Sequence, residues 1–284
     1  MTDKADNIEV KKINRSYGYR SDRFPVVSVL LLAMIAVGCI FCGIFSNHDP
    51  FYMNLDSVNV APNSTFWFGT DTLGRDIYSM ILNGGRISLF IGITASAISA
   101  VIALVYGSLS AVAPEWVDEI MMRFTEILLS VPSILLIIFV QAVAGSDNVI
   151  SIAVVIGFTS WMSMAKIVRT EVRQIRSEEY VIAARAMGGS FFHNLRWHYI
   201  PNSLPSILFM IIMNVRGAIV AEATLSFVGL GLPIEIISWG SMLSLAEKAV
   251  MSNSWWIVFI PGIFLIVTIV CITEISNFLV QKTK

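Results

Sequence analysis

Six apolar runs, each long enough to cross a bilayer, constrain this chain more than any other feature. A spanning helix needs about 20 mostly apolar residues, because backbone polar groups find no water in the hydrocarbon core and must bond within the segment. The runs are 25–45, 87–113, 127–144, 149–168, 204–225 and 255–280. The expected fold is therefore an all-α integral membrane protein with six transmembrane helices. The third and fourth runs are separated only by the tight turn Gly145-Ser146-Asp147-Asn148. Several runs exceed the minimum, which predicts tilt or a short in-plane extension. Composition agrees: 14% of the 284 residues are charged, against roughly 25% in a soluble domain. The polar stretch 1–24 precedes the first run and no small-residue cleavage site follows it, so that run reads as an anchored helix.

The cations set the orientation. Alternating the connecting segments places Lys4, Lys11, Lys12, Arg15, Arg20, Arg23, Arg123, Lys166, Arg169, Arg173, Arg176, Arg185, Arg196, Lys282 and Lys284 on one side. Arg75 and Lys248 fall on the other, with Arg86 at a boundary and Arg216 inside a span. Lys and Arg of short loops concentrate on the cytoplasmic side, so both termini are expected there, in an N-in/C-in arrangement. The organisation is then a cytoplasmic tail (1–24), a membrane domain (25–280) and a cytoplasmic end (281–284). Three polar segments interrupt the membrane domain: external 46–85, cytoplasmic 169–203 and external 226–254. The first is longer than a plain connection and is expected to carry structure or function. In the last and just after it, Trp239, Trp255 and Trp256 suit the headgroup interface.

The cytoplasmic segment reads as two short helices joined by a glycine hinge. Ser177 is the expected N-cap, with Glu178 and Glu179 complementing the helix dipole. Tyr180, Ala183, Ala184 and Met187 follow at i, i+3, i+4, i+7, one apolar stripe with small residues at its centre. Gly188-Gly189 ends that helix, Ser190 caps the next, and Pro201 is expected to stop it. Such a bent element suits close approach by another protein; an amphipathic helix resting on lipid is the other reading.

At this loop the chain resembles a known family. Glu179-Tyr180-Val181-Ile182-Ala183-Ala184-Arg185-Ala186-Met187-Gly188, followed by His198-Tyr199-Ile200-Pro201-Asn202, resembles the EAA loop of ABC-importer permeases, and within them the dipeptide, oligopeptide and nickel permeases. Phe68-Gly69-Thr70-Asp71-Thr72-Leu73-Gly74-Arg75-Asp76, Arg86-Ile87-Ser88-Leu89 and the run from Ala221-Glu222-Ala223 to Gly229-Leu230-Gly231 are similar to that family's second permease, the "C" subunit. Trp239-Gly240 and the run Asp118, Arg123, Pro132 also fit. Ile182 stands where the EAA name expects Glu, and Trp197 where an Arg usually precedes the histidine. The resemblance covers about residues 25–280. It implies a multi-pass permease of the bacterial inner membrane for a peptide, nickel or metal-chelate (metallophore) substrate. Its implied partners are a homologous second permease subunit, two cytoplasmic ABC ATPase subunits and an external substrate-binding protein. Glu179, Tyr180, Ala183, Ala184, Arg185, Gly188, His198 and Pro201 would form the ATPase-coupling site. Gly69, Thr70, Asp71, Gly74, Arg75 and Asp76 form an external motif to which the resemblance assigns no role.

The chain contains no G-x-x-x-x-G-K-[ST] phosphate loop, so ATP and Mg²⁺ are expected on the partner subunits and no cofactor on this one. A net charge of −1 argues against nucleic acid as a partner, leaving lipid and protein. Cys39 and Cys42 lie at i, i+3, but no further Cys or His completes a metal site, so they read as packing residues. His48, Asp49 and Asp56 read as solvated loop residues. No intramembrane protease motif is present, and a secondary transporter, open on composition alone, is disfavoured by the EAA loop. Inside the spans, Arg216 lies about 18 Å up the fifth helix, just past the midplane, with Glu222 about 9 Å further on. Both are expected to face the bundle interior, either lining the pathway or its outer gate, or pairing with other membrane residues.

Overall fold

The computed structural model describes residues 24–145, 148–233 and 235–283. The tail to Arg23, the turn tip at Ser146-Asp147 and Lys284 lie outside the described residues, as do the side chains of Lys248 and Lys282, so their share of the cation asymmetry is not placed.

The described chain is helical. In order it forms α1 (Val26–Ile40), α2 (Ile77–Val112), α3 (Glu115–Ser130), α4 (Ser133–Ala144), α5 (Val149–Thr159) and α6 (Met162–Arg176). There follow α7 (Glu179–Ala186), α8 (Ile200–Phe227), α9 (Trp239–Leu243), α10 (Ala246–Met251) and α11 (Trp256–Thr283). Thr70 and Asp76 form an isolated antiparallel bridge ahead of α2. Among the described residues three helices are long and apolar enough to cross a membrane: Ile77–Val112, Phe191–Phe227 and Trp256–Leu279. Two bent pairs, α3 with α4 and α5 with α6, pass that criterion together, while α1 is a shorter apolar helix.

α2 is the centre of the bundle, with α1, α5, α6 and α8 packed around it. Its buried positions are mostly small, Gly92, Ala95, Ser96, Ser99, Ala103 and Gly107 among them, and small residues let helix backbones approach closely in lipid. At Gly107 a Cβ would stand 2.5 Å from the Ala165 carbonyl oxygen of α6, so a side chain there would force the helices apart. The Ser99 hydroxyl donates to the Gly157 carbonyl at 2.7 Å and the Ser96 hydroxyl to the Ile211 carbonyl at 2.7 Å, tying α2 to α5 and α8.

Four expectations are corrected. The run 127–144 is not one helix: α3 and α4 meet at 94°. Pro132 supplies no N–H, and Val131 before it takes the extended conformation that a following proline favours. The run 149–168 bends by 47° at Ser160-Trp161 and then continues as helix to Arg176. Just before that bend the Thr159 hydroxyl donates back to the Val155 and Ile156 carbonyls, at 2.9 and 3.1 Å, a bond that often bends helices. Pro201 does not stop a helix; Leu195–Tyr199 form a π-turn and the chain runs on through Pro201 and Pro205 to Phe227. One wide turn ahead of Pro201 accommodates its missing donor and its ring. Ser177 closes α6, and Glu178 is the N-cap of α7. The last residues of the external segment 46–85 also belong to α2, and 226–254 contains α9 and α10.

Candidate functional site

The loop after α6 is anchored by two side chains. Val181 on α7 and Tyr199 in the π-turn are buried in one apolar cluster with Val168, Val172, Ile175 and Ile207. That leaves the opposite face of α7 outside the fold. Tyr180, Ala183, Arg185 and Met187 are exposed, and Ala184 is half-buried. The expected stripe therefore points away from this chain. Gly188 takes φ +90° with nothing within 4 Å of where a Cβ would sit, so its role is conformational. The Ser190 hydroxyl caps the next turn, as expected, by accepting from the His193 N–H at 3.3 Å. His198 packs between Tyr180 and His193, with ring centroids 5.8 and 6.2 Å apart, and Glu179 and Pro201 are exposed. The structure adds two residues to this surface that the stripe did not include: Met187, at 83% exposure, is joined by Phe192 at 77% and Trp197 at 62%.

A charge cluster just before this loop was not foreseen. Asp118 of α3 is buried and accepts from Arg169 Nε at 2.6 Å, Arg173 Nη2 at 2.7 Å and the Ser110 hydroxyl at 2.5 Å. It ties the end of α2 and the start of α3 to α6. The partners lie 51 and 55 residues away in the chain, so spacing alone cannot reveal them. Its one local signal is a carboxylate on the face of α3 that also buries Met122 and Thr125.

The motif from Gly69 to Asp76, expected to be external, is a folded cap. Asp71 Oδ1 accepts from the N–H of Leu73 and of Arg75, and its Oδ2 lies 2.8 Å from Arg75 Nε and 2.7 Å from Nη2. Asp76 opens α2 by accepting from Ser79 N–H and Oγ at 3.1 and 2.6 Å. The Thr70 hydroxyl donates to the Ser57 carbonyl, and the Thr70 carbonyl accepts from the Trp256 indole at 3.1 Å. Gly69 and Gly74 take φ +76° and +74°; a Cβ on Gly74 would collide with the Asn54 carbonyl. The motif thus joins segment 46–76, α2 and α11. His48 Nδ1 lies 3.7 Å from Asp76, and among the described residues no group of three His, Cys, Asp or Glu side chains is arranged to hold a metal.

The two membrane charges separate. Glu222 is fully buried: Oε1 accepts from Ser226 and Ser238 at 2.8 and 2.7 Å, and Oε2 from Ser88 at 3.1 Å. Ser88 also accepts the Trp239 N–H, so this carboxyl joins α8 to α2 and to the entry of α9. Arg216 is half-buried, and among the described residues it has no hydrogen bond or ion pair.

Residues 92–284 match the family described as the binding-protein-dependent transport system inner membrane component. The chain belongs to this family. It is a multi-pass protein of the bacterial inner membrane and a permease subunit of an ABC importer, of the second, C-subunit type. The oligopeptide transport system permease protein OppC of Bacillus subtilis is 37% identical over 250 residues, covering 88% of this chain and 81% of that one. The dipeptide transport system permease protein DppC of the same organism is 33% identical, covering 88% and 78%. A probable D,D-dipeptide transport system permease protein, DdpC of Escherichia coli, is 31% identical, covering 86% and 82%. In this permease the exposed face of α7 and the cap around Asp71 sit at opposite ends of α2 and its neighbours.

Proposed function

We propose that this permease forms half of the translocation pathway of a peptide importer and is driven by two cytoplasmic ATPases that dock on the loop after α6. A homologous permease subunit completes the pathway, and an external binding protein delivers the peptide. α1, α2, the two bent pairs, α8 and α11 make six crossings with both termini cytoplasmic. The observation that carries this reading is the outward face Tyr180, Ala183, Met187, Phe192 and Trp197 on a loop held from behind by Val181 and Tyr199. So much apolar surface on a short cytoplasmic loop marks a protein contact. Peptides are the favoured cargo within the wider class of peptides, nickel and metal chelates, because the relatives named above carry oligopeptides and dipeptides by name. Arg216, unpaired among the described residues, finds its counter-charge on the second permease subunit.

Ala183→Trp tests the docking. Ala183 is exposed, so the fold of this chain survives, while the bulky ring blocks a close contact; overpacking of this kind costs about 1–3 kcal/mol. The variant should insert and pair with the second permease but lose copurifying ATPase and ATP-driven tripeptide uptake in vesicles. Wild-type ATPase recovery and uptake would show that the face is not the docking surface.

A further inference from the structure

The two helix breaks face each other. Val131, Pro132 and Ser133 from the first, and Ser160, Met162 and Ser163 from the second, line one cavity of about 390 Å³. Counted along α4 and α5, of 12 and 11 residues, the breaks lie at most about 16–18 Å of helix from the turn at 145–148, about half of a roughly 30 Å core. The hydroxyls of Ser133, Ser160 and Ser163 are at least partly exposed there, and among the described residues none makes a hydrogen bond. Irregular backbone at membrane depth persists only where it is buried in protein or lines water.

Below the breaks, α3 presents three different faces. Asp118, Met122 and Thr125 are buried against the chain. Trp116, Ile120, Phe124 and Ile127, at i, i+4, i+8 and i+11, are exposed and apolar. Glu119, Arg123, Glu126 and Ser130, at i, i+4, i+7 and i+11, are exposed and polar. Opposite them on α6, Lys166 Nζ lies 3.3 Å from Glu126 Oε1, between Ser163 and Thr170 on the same face. An apolar and a polar stripe at the same height on one helix cannot both face lipid, because a charged side chain there is costly. One solvent is hydrocarbon; the other must be water or a polar partner.

We infer that the polar stripe of α3, the facing stripe of α6 and the serine-lined breaks form the inner half of a water-filled path, running from the breaks toward the loop after α6. It offers both signs of charge, Arg123 and Lys166 against Glu126, with hydroxyls at its head, which suits a solute carrying a free amine and a carboxylate. This rests on the permease reading above and names residues other than Arg216 and Glu222 for the path.

The test uses the assembled transporter in inside-out vesicles and single replacements Ser133→Cys, Glu126→Cys and Ser163→Cys, with Phe124→Cys and Ile127→Cys as the apolar comparison. Cys39, Cys42 and Cys271 are buried, so the unmodified chain sets the background. The probe is a charged methanethiosulfonate. It reacts with thiolate, which forms only where water reaches, so the polar set should label at least about tenfold faster than the apolar set. Labelling should also stop ATP-driven uptake of trialanine. Variants that fail to copurify ATPase are replaced by Ser130→Cys and Thr170→Cys on the same faces. Equal labelling of the two sets overturns the inference, as does fast labelling that leaves trialanine uptake intact. If the unlabelled wild-type complex takes up no trialanine, the peptide reading fails instead, and the labelling rates, which need no substrate, still decide whether the stripe is wet.

Discussion

Asp71 and Arg75 carry opposite charges four residues apart, both nearly inaccessible, and each satisfies the other. Removing one partner of a buried pair strands the second, at a cost of about 3–5 kcal/mol, whereas replacing both with apolar residues of similar volume is often neutral. Asp71→Asn should therefore lower the melting temperature of the purified transporter and reduce its yield. Asp71→Leu with Arg75→Met should recover much of the loss, except for the two backbone N–H groups that Asp71 also accepts. A single variant as stable as wild type would mean that the pair does not hold the cap. Arg216 makes the opposite case, a cation with no partner among the described residues of its own chain. Arg216→Leu should weaken recovery of the second permease subunit, with Arg216→Lys intermediate; unchanged recovery for Arg216→Leu would remove the intersubunit pairing.

Elements here are defined by their interruptions. Pro132 separates α3 from α4, and proline inside a helix costs about 3 kcal/mol or more, so restoring the donor should favour a straighter course. Pro132→Ala should lengthen the distance between spin labels at 120 and 140 and uncouple ATP hydrolysis from uptake. An unchanged distance would show that packing against α5, not the proline, holds the bend. At the other hinge, Gly188 stands in open space at φ +90°, where a β-branched residue is strained by about 1–3 kcal/mol and asparagine is better tolerated. Gly188→Val should lose the stimulation of ATP hydrolysis by loaded binding protein, and Gly188→Asn should retain part of it. Equal loss in both would point to a contact made by the glycine itself.

For the whole molecule, the alternation of cations predicts sidedness. Single cysteines at Ser64 and Ser244 should react with an impermeant thiol reagent on intact cells, and one at Ser177 should not. Labelling at Ser177 would overturn the six-crossing scheme.

The apolar runs by themselves determined that the chain is a helical membrane protein, because hydrocarbon leaves the backbone no other partner. The loop Glu179 to Asn202 was equally legible as a bent element, since its stripe, Gly188-Gly189 and the Ser190 cap are local signals written in adjacent residues. Tertiary structure alone decided what those signals leave open. Whether Pro201 ends a helix depended on a π-turn that shifts the register ahead of it. Whether 127–144 stays straight depended on what Pro132 packs against. The Asp118 cluster, and the serines gathered on Glu222 from positions as far apart as 88 and 238, depend on contacts between distant segments. Such contacts leave no periodicity in the chain, because each residue answers to neighbours that only the packed helices bring near.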